Sequence, residues 1–198
     1  PLLGIIMVFV EPGGTDEASF AVAAQKMLDN SIQAKIAVLG FTVAMLAVTI
    51  GTAYLARSMQ GEQKPGSDLA GLASVLAFLS AGVVIVSFGI HMSIFDTGWT
   101  DKGGDVTNAY AIGDAIIVSM FMFMGAAALL LGIAIFRQKN LNQIVGGITA
   151  LFGACIVVGG LASAGSENFA GLIWFIGFLG WIIITVVIGG ITIKQALN

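Results

Sequence analysis

The sequence predicts an all-α, polytopic transmembrane helical bundle of about six spans. Hydrophobic residues fill 58% of the 198 positions, charged residues fill only 10%, and the apolar residues fall into long runs parted by short polar turns. A soluble domain carries about 25% charged residues. One all-apolar helix can hide inside a large globular protein, but runs that recur along the whole chain leave too little polar sequence for a shell. Lipid is the solvent that fits. At roughly 20 residues per crossing, the length accommodates about six spans as one transmembrane domain over 1–198, with no separate soluble domain.

Leu2 to Val10 is apolar but too short to cross a bilayer, and it stops at Glu11, Pro12, Gly13 and Gly14. It reads as the last half of a first span, truncated at its start. A cleaved signal peptide is the competing explanation, and would leave a hydrophobic stub on the mature chain. The second span is expected over Ile32 to Leu55, free of charge except for Lys35 and closed by Arg57. A polar turn from Arg57 to Asp68 precedes the third span, Leu69 to Ile94. The fourth runs from near Asn108 to Phe136 and ends in the cationic turn Arg137, Gln138, Lys139, Asn140. The fifth covers Leu141 to Ala164 and the sixth Phe169 to Ile193, joined by Gly165, Ser166 and Glu167.

Between the first two spans, Thr15 is a good N-cap, with Asp16 and Glu17 placed to favour the positive end of the helix dipole. Phe20, Ala23, Ala24, Met27 and Leu28 then recur at helical spacing, with Gln25, Lys26 and Asp29 between them. This predicts a short amphipathic outer-surface helix, resting on the bilayer or capping the bundle. Short loops rich in Lys and Arg stay cytoplasmic. Arg57, Lys64, Arg137, Lys139 and Lys194 all fall on one side of this topology, against Lys26, Lys35 and Lys102 on the other. With six spans both termini are expected in the cytoplasm, and the plasma membrane is the expected location. Trp99 and Trp174 then stand near the outer interface.

The net charge of -3 and the lack of a basic cluster exclude nucleic acid as a partner. Cys155, the single cysteine, lies in an apolar run and reads as a small buried hydrophobe. One His and one Cys cannot supply the usual zinc or copper ligands, and haem held by two histidines is excluded by count. An all-oxygen site from Asp96, Asp101 and Asp105 fails the spacing of a calcium loop. No metal or cofactor is expected.

Asp114, about two helical turns inside the fourth span, is the first candidate, because a charge in lipid is expensive and must face protein or water. It is either a proton or cation site, or a carboxyl that hydrogen-bonds a neighbouring helix. His91, the only histidine, lies near the matching end of the antiparallel third span, so a His–carboxylate pair is plausible. Asp96 follows five residues later and either joins them or is solvated. Gly146, Ala150 and Ala154, spaced by four, mark a helix-packing seam.

No Ser–His–Asp set, nucleotide-binding loop or carboxylate pair within one helix is present, so an enzyme is the least favoured class. The expected role is a non-catalytic accessory subunit, in contact with membrane lipids and other integral membrane subunits. The alternative is a small proton-linked transporter or pH-responsive protein using Asp114 and His91.

Overall fold

Apolar runs of twenty or more residues have one stable arrangement in lipid, the helix that satisfies its own backbone hydrogen bonds. The computed structural model describes residues 3, 6, 7, 10, 19–139, 141–163 and 169–197. The helices in order are α1 Phe20–Asp29, α2 Ser31–Ser58, α3 Ser67–Ser93, α4 Thr97–Thr100, α5 Val106–Gln138, α6 Gln143–Ser163 and α7 Phe169–Leu197. Among the described residues there is no strand. Five of the helices, α2, α3, α5, α6 and α7, are long and apolar enough to cross a membrane.

The five agree with the second to sixth expected spans to within a few residues at most ends. Of the expected first span, Leu3, Ile6, Met7 and Val10 are described and helical, and the rest lies outside the described residues. Met7 packs on α2, where a Cβ at Gly40 would meet its Cγ at 2.7 Å. Thr15, Asp16 and Glu17 also lie outside the described residues. The helix that follows starts at Phe20, later than a Thr15 cap implied, because Ser19 is the N-cap and its hydroxyl accepts from Val22 N.

The interior is built of small residues and the exterior of large apolar ones. Alanine dominates the buried positions, with Thr and Ser among them, while Ile36, Val75, Leu151 and Ile183 are exposed. A soluble core is the reverse, so this distribution independently marks an integral membrane protein. Four hydroxyls, at buried Thr42, Ser80 and Thr149 and half-buried Thr185, bond within their own helix. Each donates to the carbonyl four residues earlier, at Val38, Leu76, Val145 and Trp181.

The chain divides into two compact units, Pro1–Ala47 with Ala81–Ser119, and Val48–Ser80 with Met120–Asn198. In the first, Ala23, Ala24 and Met27 of α1 are buried in one cluster with Ala34 and Val38 of α2, Ile94, and Ala109 and Tyr110 of α5. In the second, α5, α6 and α7 pack in antiparallel order through glycines. A Cβ on Gly132 would collide with Ala150 N and stand 2.6 Å from Gly146 O, and one on Gly125 would stand 2.7 Å from Ile156 Cγ2. The close seam against α5 therefore runs through Gly146 and Ala150 to Gly153, the residue before Ala154, which is half-buried. Against α7, Cys155 Cβ lies 2.8 Å from the position of a Cβ on Gly177. Phe121, Trp174 and Phe178 form an aromatic group beside it, with the last two rings stacked at 5.4 Å.

Candidate functional site

The polar centre of the first unit forms where the C-terminal end of α3 meets the N-terminal turns of α5. His91 is buried, and its Nδ1 lies 2.9 Å from the Ser87 carbonyl oxygen one turn earlier. A carbonyl only accepts, so Nδ1 carries the proton and Nε2 is the nitrogen that can gain one. The Ser87 hydroxyl stands 3.3 Å from the same Nδ1 and donates across to Gly113 O of α5 at 3.3 Å. The imidazole lies directly against Gly113, where a Cβ would stand 2.5 Å from Cε1 and 2.7 Å from Nδ1. Tyr110, one turn before Asp114, presents its ring edge-to-face at 5.8 Å.

Asp114 is half-buried and close enough for its charge and that of His91 to act on each other. The length of α5 changes what this position costs. Its 33 residues extend about 50 Å, against a hydrocarbon core of about 30 Å. A crossing of about 20 residues counted back from Phe136, the last residue before Arg137, ends near Ile117. Asp114 therefore falls near the end of such a crossing. The same count from Leu69 along α3 ends near Phe88 and places His91 at a similar level.

Asp96 does not join these residues. It is exposed and is the N-cap of α4, its carboxylate accepting from Trp99 N at 3.3 Å. Asp105 has a similar task at the start of α5, accepting from Thr107 N and Asn108 N. Among the described residues no three His, Cys, Asp or Glu side chains gather as a metal would require.

Sequence reasoning paired His91 with Asp114 but missed the residues that set the ring in place. Ser87 carries a recognisable signal, being four residues before a histidine on the same helix face. Gly113 carries none, since it is one glycine among many. No family model, curated protein or solved structure matches this chain. Its function is read from these residues.

Proposed function

We propose that this integral membrane protein is a non-catalytic subunit of a larger membrane assembly, held by other integral membrane subunits. Gly82 and Gly89 carry the reading. They stand two turns apart on the exposed face of α3, and a Cβ on either would meet nothing within 4 Å. Glycine costs a helix about 1 kcal/mol relative to alanine, and membrane helices use it where another backbone comes close. Gly132 and Gly146 have that neighbour within the chain. Gly82 and Gly89 do not, and a helix of a partner subunit would supply it. In this reading the chain has six spans, α1 is an amphipathic helix at the outer end, and the cation-rich turns face the cytoplasm of a plasma membrane.

Native-mass analysis after gentle extraction from the protein's own membrane tests the proposal. A stoichiometric assembly is expected, and a partner-free monomer rejects it. The paired variant Gly82→Leu/Gly89→Leu should release the chain from the assembly. Its own unfolding stability should not fall, because nothing within the chain is displaced and each substitution removes the helix cost of a glycine.

A second reading, a pH-responsive role, is favoured by the His91–Asp114 juxtaposition near the end of a crossing, where water can deliver a proton. Asp114→Asn should then leave insertion and folding intact while changing the pH response measured in vesicles. A variant altered only in thermal stability would make the carboxylate structural.

A further inference from the structure

The helix α1 reaches the His91 centre through two rings. Phe20, the first residue of α1, packs on Tyr110 with ring centroids 6.0 Å apart, and Tyr110 packs on His91. Elsewhere α1 buries Ala23, Ala24 and Met27, with Leu28 packed against the same cluster. A patch of this size is comparable to what one poorly solvated charge can offset.

We propose that α1 is a lid latched through Phe20, Tyr110 and His91, and released when the His91 ring takes a second proton. This rests on the pH-responsive reading and adds the element that moves. With Nδ1 committed to Ser87 O, the added proton goes to Nε2 and makes an imidazolium. The latched packing offers that cation Asp114 and the apolar surroundings of the cluster, whereas lifting α1 admits water. The other charged groups on these elements have separate places. Lys35 of α2 stands over the Phe95 ring at 5.3 Å, Asp29 of α1 accepts from Gln25 at 2.8 Å, and Lys26 is exposed. Asp96 and Asp105 cap helices, and Asp101 and Lys102 are exposed in the loop. Asp114 is the group whose charge acts on His91.

The test uses the full chain in lipid nanodiscs, with Cys155→Ala and a reporter at Ala24→Cys, a position 1% exposed. Its rate of labelling by a membrane-impermeant thiol reagent is divided by that of the exposed Gln25→Cys, which cancels the pH dependence of the thiol. Met27→Cys replaces Ala24→Cys should the latter fail to fold. Between pH 8 and 5 the ratio should rise by up to roughly tenfold per pH unit, the limit for one linked proton. It should stay flat in His91→Gln, and Phe20→Ala should raise it at every pH. Because His91 is the only histidine, its ring signals in nuclear magnetic resonance report the protonation directly. A ring that titrates while the ratio stays flat overturns the latch and leaves the pH-responsive site. A ring that does not titrate between pH 5 and 8 overturns both. An equal rise in His91→Gln also overturns the latch.

Discussion

Gly132→Ala is expected to destabilise the protein by about 1–3 kcal/mol, whereas Gly147→Ala should be neutral or stabilise it by up to about 1 kcal/mol. Both sites lie inside apolar helices, and both substitutions bring the same gain in helix propensity. They differ in what the added methyl meets. At Gly132 it meets main-chain atoms of α6, at Ala150 N, Gly146 O and Ala150 Cα. Main-chain atoms cannot turn aside as a side chain does, so α5 and α6 must part along the seam and lose the contacts that lipid would otherwise not replace. At Gly147 the methyl meets nothing within 4 Å. Thermal unfolding of the two variants in one detergent decides the matter. Equal effects of the same sign would mean that the α5–α6 seam does not contribute as described.

The contrast between these sites also shows where the sequence stops being informative. The spans were legible because apolar run length is itself the physical requirement for crossing lipid. Their ends were less so: α2 continues past Leu55 to Ser58 because a helix keeps its hydrogen bonds into the interface, where Arg57 is at no disadvantage. The start of α1 was misplaced because two N-cap residues, Thr15 and Ser19, compete within four positions. The one-turn α4 is too short to leave a periodic signal. Gly146 and Ala150 could be read as a seam, but not their counterpart Gly132, nor the further pair Gly125 and Gly153. Gly146 is pressed against α5 while its neighbour Gly147 is open, and nothing local distinguishes them. The rotation of a helix about its axis decides, and helices apolar on every side carry little of that rotation in their hydrophobic pattern. The same limit applied at the candidate site. Topology alone set His91 and Asp114 at one level, but the glycine under the imidazole depended on rotation.

Gly113→Ala should displace the His91 ring and cost about 1–2 kcal/mol of stability. The methyl would stand 2.5 Å from Cε1 and 2.7 Å from Nδ1, so the ring must move. Its motion is restricted by the 2.9 Å bond to Ser87 O and by the Tyr110 ring. Turning about χ1 or χ2 breaks the first of these and disturbs the second, and the Ser87 bond to Gly113 O is strained with them. With the Nδ1 bond gone, nothing local selects which nitrogen carries the proton in the neutral ring. The ring resonances of this sole histidine should therefore shift and show a changed tautomer balance. Ala115→Gly, two residues along on the exposed face of α5, should leave the ring resonances unchanged even though it lowers helix propensity by about 1 kcal/mol. If Gly113→Ala leaves the ring resonances where they were, the imidazole does not rest on Gly113. The latch through Tyr110 to α1 would then lose the surface that positions its first member.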